Sequence, residues 1–413
     1  MHNLFNEDET RSFRLPSIHA KAAPTHEILL IYNIYTIMNI RFTLRHLLGI
    51  VLLSSLTASC GLIEDDDLPP CAQGIDLYFR YDRNLQRANM FPDHVGGVTV
   101  YVYDEQGRFV RSQSESRTAL ASPFKADGYH MHLELPEGRY RYVVLANQRN
   151  YAETLLTAGA KQRITAPQSG DDITALRVDL DHQQDADADG LHLVSNEAAP
   201  LDTLWHGMNA QVLEVPFEKV VRDTVSLTRD TKQINVTLRD IELPSDIDVS
   251  DYDFRITDRN SAILHDNSVD ESVKLLYTPF ATWNTEDITS TTASTASTTS
   301  TLADEADQPV QQPGRMAHAD FMTSRILKHD DARDDAQLVV THRPSGREII
   351  RVNLADLLSR LRTSADRYYS AQEFLDRGYD YRLTFFLQGN RWKYVNVEIS
   401  TLSWARRFQA EDI

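Results

Sequence analysis

Residues 75–81, IDLYFRY, form an alternating strand pattern that indicates the class of fold. The apolar side chains of Ile75, Leu77, Phe79 and Tyr81 alternate there with Asp76, Tyr78 and Arg80. Successive side chains of a β-strand point to opposite faces of its sheet, so a period of two places one face in a core. The stretch therefore predicts a half-buried β-strand.

Similar patterns continue toward the C-terminus. Apolar, alternating or β-branched runs follow at residues 98–103, 108–110, 129–135 and 140–146. Turn residues separate them, as in Asp104-Glu105-Gln106-Gly107 and Pro136-Glu137-Gly138. Short strands with turn signals between them predict a β-sandwich, in which residues 147–160 are the non-strand element, a short helix.

A second series of strand patterns occupies the C-terminal half, at residues 225–228, 234–238, 337–342, 349–354, 381–388 and 391–399. The last two flank Gly389-Asn390, a two-residue link suited to a type II′ hairpin turn. Short helical turns are expected at 356–361 and 371–375. With a boundary near residue 215, the sequence predicts an all-β, mainly antiparallel fold. An N-terminal β-sandwich covers 72–215, a C-terminal one covers 216–413, and short helices lie in the connections.

A tract rich in serine and threonine interrupts the second series. Eleven of the thirteen residues at 289–301 are Ser or Thr, broken only by Ala293 and Ala296. Such a composition cannot bury a core, so it predicts a surface loop over residues 285–312. Its composition does not decide between O-glycosylation and simple flexibility.

The N-terminal region reads LRHLLGIVLLSSLTASC over residues 44–60, followed by GLIEDDD. Arg41 and Arg45 form a positive flank ahead of the apolar run at residues 47–56, which is too short for a mature membrane-spanning helix. The pattern is similar to a bacterial lipoprotein signal peptide over residues 38–59, although Thr57 stands where Leu is commoner. That similarity implies cleavage before Cys60, diacylglycerol on its sulfur and an acyl chain on its new amine.

The residues around Cys60 complete this interpretation. Glu64, Asp65, Asp66 and Asp67 resemble the surface-export signal of Bacteroidetes lipoproteins, and 60–71 becomes a lipidated acidic tether. Because Met38 precedes the positive flank, residues 1–37 are expected to be either a mis-translated, non-native segment or an upstream extension. The alternatives are a buried core helix, or a signal peptide cut elsewhere that leaves Cys60 as an ordinary thiol.

Charge and cysteine content narrow the function further. The chain has a net charge of −18, and residues 1–59 carry five basic and four acidic groups, so the remainder has −19. This charge repels phosphate backbones, which argues against nucleic acid as a partner. Lipidation of Cys60 would leave Cys71 without an intramolecular partner, so the fold must rest on its hydrophobic cores.

Two polar clusters are weak candidates for metal binding. Asp185, Asp187 and Asp189 with Gly190 resemble the start of a calcium loop, but its twelfth position is Asn196, with Glu197 one step late. A solvated acidic loop explains the same residues. His130, His132 and Glu134 would share one strand face, which is more often simply exposed to water.

No catalytic motif is present: the sequence lacks GxSxG, HExxH, a glycine-rich phosphate loop and a paired-cysteine zinc pattern. We therefore expect no enzyme activity, and no cofactor apart from the covalent lipid on Cys60.

Several features stand in a characteristic order along the chain. They are Cys60 with its acidic run, Leu77-Tyr78-Phe79-Arg80-Tyr81-Asp82, the strand and turn at 98–107, Leu204-Trp205-His206-Gly207, Val225-Ser226-Leu227-Thr228-Arg229 with Ile234-Asn235-Val236, and residues 392–399 with Leu402-Ser403-Trp404. Their order and spacing resemble the FimB/Mfa2 family of Bacteroidetes fimbrial proteins.

The resemblance implies two transthyretin-like β-sandwiches in tandem and a fimbrial (pilus) subunit that anchors or terminates the fimbria and supports cell adhesion. The protein would be surface-exposed, held by its lipid in the cell outer membrane. Its partners would be fimbrial stalk subunits, joined by insertion of an extended strand at an unpaired sheet edge. The particular stalk subunit, the position in the fimbria, the acceptor groove and any host or bacterial surface ligand stay open.

The alternative function is a surface glycan-binding lipoprotein of a nutrient-uptake system. It would use aromatic side chains at strand spacing, namely Tyr78, Tyr101, Tyr103, Trp392 and Trp404. Such residues are more often core or cross-strand pairs. Retention on polysaccharide gels, against co-purification with pilin polymers, separates the two functions.

Overall fold

The computed structural model describes residues 72–184, 190–242, 247–287, 314–389, 391–400 and 405–411. These residues all belong to one unit, Cys71–Ile413. Within the described ranges, no helix is long and apolar enough to cross a membrane. The predicted class is confirmed, because mainly antiparallel strands make up most of the fold and the helices are short.

The strands are numerous and mostly short. In chain order they are β1 (Gly74–Arg83), β2 (Gly97–Asp104), β3 (Phe109–Ser116), β4 (Met131–Glu134), β5 (Gly138–Asn147), β6 (Gln162–Thr165), β7 (Arg177–Leu180), β8 (Gln183–Gln184), β9 (His192–Val194), β10 (Leu204–Met208), β11 (Leu213–Val215), β12 (Val220–Arg229), β13 (Lys232–Asp240), β14 (Tyr252–Asp258), β15 (Ala262–Leu264), β16 (Val269–Asp270), β17 (Leu275–Tyr277), β18 (Ala281–Asp287), β19 (Gly314–Thr323), β20 (Gln337–His342), β21 (Arg347–Asn353), β22 (Asp380–Leu387), β23 (Trp392–Ser400) and β24 (Ala405–Glu411).

Short helices occupy the connections. The α-helices are α1 (Phe91–His94), α2 (Tyr151–Thr154), α3 (Leu354–Ser359) and α4 (Ala371–Arg377). Single 3₁₀ turns are found at Pro123–Lys125, Ile173–Ala175, Val249–Asp251, Arg343–Ser345 and Ser364–Asp366. Of these, α2, α3 and α4 fall within or overlap the segments where the sequence predicts helices, which confirms those predictions.

The largest sheet has eight strands, in the order β3-β2-β5-β10-β12-β1-β4, with β11 also paired to β5. β1 pairs with β4 in antiparallel and with β12 in parallel orientation. Ile75, Leu77, Phe79 and Tyr81 are buried in the core on one face of this sheet, as their alternation predicts. α1 and the first 3₁₀ turn contribute Phe91 and Phe124 to the same core.

Strand β2 is covered on both faces. Val98, Val100 and Val102 enter the core that β1 faces, whereas Tyr101 and Tyr103 pack into a second cluster on the opposite side. A four-stranded sheet in the order β16-β15-β7-β6 supplies the layer behind that second cluster. A strand buried on both faces reads as a near-continuous apolar run, which explains residues 98–103.

Two six-stranded sheets form the second sandwich. Their orders are β18-β19-β13-β22-β23-β24 and β21-β20-β14-β17-β9-β8. Val236 and Phe385 of the first sheet share one large core with Phe254 and Val340 of the second. α3 and α4 also bury apolar side chains in it, including Phe374. Two main cores therefore stand in tandem, as expected for two sandwiches.

The predicted domain boundary near residue 215 does not match the strand pairing. β12 follows that boundary and was expected in the second domain, but it lies in the first sheet beside β1, with Gly74 opposite Val220. β9 precedes the boundary but pairs with β17 of the second sandwich, and β7 pairs with the later strand β15. Parallel partners far apart in the chain leave no local sequence signal. The chain crosses between the two halves more than once.

The predicted closing hairpin is confirmed. β22 and β23 pair from Tyr381 opposite Ile399 to Leu387 opposite Trp392. Gly389 in the connection has a φ of +58°, a left-handed conformation that glycine adopts without the steric penalty of a Cβ atom. The backbone conformation at residue 389 therefore favours glycine, the residue on which the turn prediction was based.

Candidate functional site

The two edge strands of the eight-stranded sheet, β3 and β4, approach each other without pairing. Instead, side chains of β3 donate hydrogen bonds to backbone carbonyls of β4. Arg111 Nη1 lies 2.9 Å from Glu134 O, and Gln113 Nε2 lies 3.0 Å from His132 O. Tyr129, just before β4, donates its hydroxyl to Glu115 at 2.9 Å. We call this junction, formed by residues 111–115 and 129–134, the seam.

The seam differs from a normal strand pair, because side chains and not backbone groups join its two strands. Paired strands stand about 4.8 Å apart and are joined by backbone groups alone. Here long side chains, each extended by a hydrogen bond, are needed to cross between the strands.

The β4 side of the seam offers regularly spaced acceptors. β4 pairs with β1 on its other side, from Leu77 opposite Met131 to Gly74 opposite Glu134. The carbonyls of His132 and Glu134 point toward β3, because they accept from its side chains. Acceptors two residues apart on one edge are the pattern that an incoming strand reads.

The β3 side of the seam is polar. Its sequence FVRSQSES alternates between partly and fully exposed positions, and its apolar Val110 is 41 % exposed. Charged and polar side chains on an edge strand discourage indiscriminate pairing with other chains. The seam is thus an edge protected by Arg111, Gln113 and Glu115.

At its Tyr129 end, the seam meets a cleft of about 470 Å³. Tyr78 and Arg80 of β1 line this cleft together with Lys125 and Tyr129. An aromatic cluster forms its inner wall, where the rings of Phe124 and Tyr129 are 5.1 Å apart. Among the described strands, none pairs with this edge of β1 beyond Leu77. The cleft therefore combines open strand edge with an aromatic surface.

The histidines singled out in the sequence, His130 and His132, belong to the β4 side of the seam. His132 Nδ1 is 2.8 Å from Asp76 Oδ1, and His130 Nε2 is 3.8 Å from the same oxygen. In the described part of the chain, no group of three or more His, Cys, Asp or Glu side chains is arranged to hold a metal ion. The two imidazoles therefore lie next to the carboxylate of Asp76 on one face of the sheet.

Several predicted positions lie outside the described residues. They are the signal peptide at 38–59, Cys60, Glu64, Asp65, Asp66, Asp67, Asp185, Asp187, Asp189, Trp404 and residues 288–312 of the Ser/Thr-rich loop. The predicted loop begins too early, because residues 285–287 continue β18, which pairs with β19 up to Asp287 opposite Gly314.

A buried group of charges between the two sandwiches was missed by sequence reasoning. It lies where β12 passes into β13, at Arg229, Asp230 and Lys232, all almost fully buried. Burial raises the pKa of Asp230 and lowers that of Lys232. Charged residues between two strands suggest an exposed turn, so the sequence carries no signal that this turn is enclosed.

The cations Lys232 and Arg325, in and near this buried group of charges, both have close partners. Lys232 Nζ donates to the carbonyls of Leu375 and Gly378 at 2.8 Å, of Asp376 at 3.1 Å and of Arg229 at 3.2 Å. Arg325 forms a two-pronged ion pair with Asp376, at 2.8 and 2.7 Å. The C-terminal end of α4 is thereby fixed to β13 and to the segment that follows β19.

Comparisons with known proteins match this architecture. A family model described as fimbrillin-A associated anchor proteins Mfa1 and Mfa2 matches residues 68–409. A crystal structure of a candidate adhesin from Bacteroides thetaiotaomicron is 26 % identical, covers 83 % of this chain and 99 % of its own, and has a TM-score of 0.62.

Two further solved structures share the fold. A candidate polysaccharide-binding protein from the same organism is 26 % identical, with a TM-score of 0.57 over 81 % of this chain and 98 % of its own. A candidate adhesin from Bacteroides ovatus is 19 % identical, with a TM-score of 0.52 over 84 % and 97 %. Comparison with curated proteins gives no significant match.

The sandwich pair and the family match together define a fimbria-associated surface protein. The chain belongs to the fimbrillin-A associated anchor protein family. The family resemblance found in the sequence is confirmed. This family is of a structural anchor and adhesin type, its members are associated with fimbriae at the cell surface, and it is not a class of enzymes.

Proposed function

We propose that the protein is a lipid-anchored fimbrial subunit of the outer membrane that anchors or terminates the fimbria. In this role it accepts an extended strand of a stalk subunit at the seam and supports cell adhesion. The observation that carries the proposal concerns β3 and β4, two edge strands that the structure describes throughout: they do not pair, and side-chain bridges join them.

The lipid anchor rests on the sequence around Cys60. One acyl chain holds a protein reversibly, but each buried methylene adds about 0.8 kcal/mol, so several chains hold it firmly. A soluble body of two sandwiches would then stay attached to the cell while stalk subunits bind to it.

Exchange of Cys60 for serine should release the protein from membranes. The intact N-terminal mass of detergent-extracted protein should show acylated Cys60, and protease treatment of whole cells should remove the body. Cys71→Ser is the matched control and should keep both the lipid and the surface location. An unmodified Cys60 in the wild-type chain would contradict the anchor.

Backbone hydrogen bonds and the burial of side chains both favour insertion of a strand at the seam. An incoming strand gains backbone hydrogen bonds to β3 and β4, while its alternate side chains can enter the cleft beside Tyr129. Its binding must first displace the bridges of Arg111 and Gln113. These bridges therefore act as a barrier that keeps the edge closed to other chains.

Removal of both bridges in Arg111→Ala/Gln113→Ala should tighten stalk-subunit binding by about 5- to 150-fold, because about 1–3 kcal/mol no longer has to be spent on breaking them. Each bridging hydrogen bond contributes about 0.5–1.5 kcal/mol, and the variant no longer has to break them. Binding to purified stalk subunit would be measured by surface plasmon resonance. Arg163→Ala, which removes an exposed ion pair on the four-stranded sheet, is the control. Affinity equal to that of the control would place strand insertion elsewhere.

Glycan binding is the second candidate. It is favoured by the likeness to a candidate polysaccharide-binding protein and by Tyr78, whose ring lines the cleft with Arg80 and Asp127. Affinity electrophoresis in polysaccharide gels tests it directly. Retardation that is lost in Tyr78→Ala, without pilin in the purified sample, would favour this function over the fimbrial one.

A further inference from the structure

A cavity of about 260 Å³ lies between the two sandwiches, away from the seam. Its wall includes His94 and Gln148 from the first half of the chain, and Gln233 and Met322 from the second. Arg229 also lines the cavity, although this residue is only 7 % exposed to solvent. A deeply buried guanidinium therefore borders a space large enough for a small molecule.

The direct contacts of Arg229 in the described part of the chain include no carboxylate, although the more distant charges of Asp380 and Asp202 favour its charged form. Its guanidinium carbon lies 4.3 Å from the ring centre of Tyr379 and 5.8 Å from that of Trp205. Its Nε donates a long hydrogen bond of 3.4 Å to Thr231 Oγ1. Among the residues that the structure describes, none forms an ion pair with it. By contrast, Arg325 nearby has the carboxylate of Asp376.

Such an arrangement is costly unless an anion completes it. A buried charge needs a partner of opposite sign or a full set of hydrogen bonds, and ring faces supply only part of this. Burial also lowers the pKa of His94, and the positive charge of Arg229 lowers it further, so His94 adds no second positive charge beside the cavity.

The other groups around the cavity are rich in donors. Trp205 also lines it, and the indole N–H of tryptophan can only donate a hydrogen bond. Gln148 accepts from Thr203 at 3.2 Å through its oxygen, which leaves its amide nitrogen as a donor. A carboxylate is the group that a guanidinium recognises best, because two parallel hydrogen bonds form.

We propose that this cavity binds the carboxylate of a small acidic ligand of monosaccharide size, with Arg229 as its principal partner. The site is independent of the seam and of the lipid anchor. Because its wall draws residues from both sandwiches, an occupied cavity would hold their junction more rigidly than an empty one.

Isothermal titration calorimetry with sodium glucuronate, glucose and sodium acetate at constant ionic strength tests the proposal. We expect saturable binding of glucuronate and none of glucose, which has similar size but no charge. If both acetate and glucuronate bind, the carboxylate alone is sufficient for recognition. If glucuronate binds and acetate does not, part of the affinity comes from the sugar ring. Absence of saturable binding by both acids would overturn the proposal.

Variants separate recognition from folding. Arg229→Gln should weaken glucuronate binding at least tenfold, and Arg87→Gln, at a side chain that is 55 % exposed and does not line the cavity, should leave it unchanged. Gln148→Ala provides a second, milder change at the cavity wall and should weaken binding severalfold. Equal binding by Arg229→Gln, or by Gln148→Ala if the former does not fold, would contradict the assigned site.

Discussion

Replacement of Lys232 by methionine should lower the free energy of unfolding by about 3–5 kcal/mol. The side chain is fully enclosed, and its ammonium donates to carbonyls at the end of α4 and to that of Arg229. Methionine fills a similar volume but donates no hydrogen bond. The carbonyls then stay buried without partners, and the nearby carboxylates of Asp230 and Asp376 lose a positive neighbour.

Urea unfolding at pH 7, followed by tryptophan fluorescence, measures this loss. Lys125→Met is the matched control, because that ammonium is 65 % exposed and lies 3.9 Å from Asp93. The control should change stability by less than about 0.5 kcal/mol. A loss below about 1 kcal/mol in Lys232→Met would mean that water or backbone movement satisfies the carbonyls.

The second large effect is expected from pH, through His206. This side chain is buried, and its Nε2–H donates to the carbonyl of His265 at 2.8 Å. Burial, helped by the positive charge of Arg325, lowers its pKa to about 4. Below pH 6.5, His206 therefore binds a proton in the unfolded chain but not in the folded chain. The free energy of unfolding then decreases as the pH drops from about 6.5 to about 4.

The full effect is about 3 kcal/mol, since each pKa unit corresponds to about 1.4 kcal/mol. His206→Gln keeps a donor for His265 and cannot titrate, so its stability should fall by that much less over this pH range. Asp258, whose pKa burial raises to about 7, changes stability in the opposite direction and is common to both proteins. The difference between their urea midpoints at pH 4.5 and 7 isolates His206. Parallel pH profiles would contradict its burial as a neutral group.

Local patterns in the sequence predicted strands well. β1 and the hairpin of β22 and β23 follow from alternation and a glycine turn, because each depends on neighbours in the chain. The partner of β1 does not follow, because β12 lies more than a hundred residues away and runs parallel to it. Pairing of that kind depends on the packing of whole layers, for which the sequence has no local signal.

The seam could be predicted only in part. The polar sequence of β3 is typical of an edge strand, and the residues alone indicate that much. Its approach to β4 results from the curvature of an eight-stranded sheet, which no single strand specifies. The junction charges were also hidden, because Arg229 and Lys232 are surface residues by composition and become buried only where two sandwiches meet.

The pairing of β1 with β12 also has a mechanical consequence. β1 begins at Gly74, shortly after the proposed tether, and β12 continues into β13 of the second sandwich through Asp230 and Thr231. The two strands run in parallel from Gly74 opposite Val220 to Arg80 opposite Ser226. If the proposed tether holds the N-terminal end, tension between that end and the second sandwich pulls the two strands lengthwise past each other. In that geometry the hydrogen bonds share the load together, whereas strands pulled apart from one end would lose them one by one.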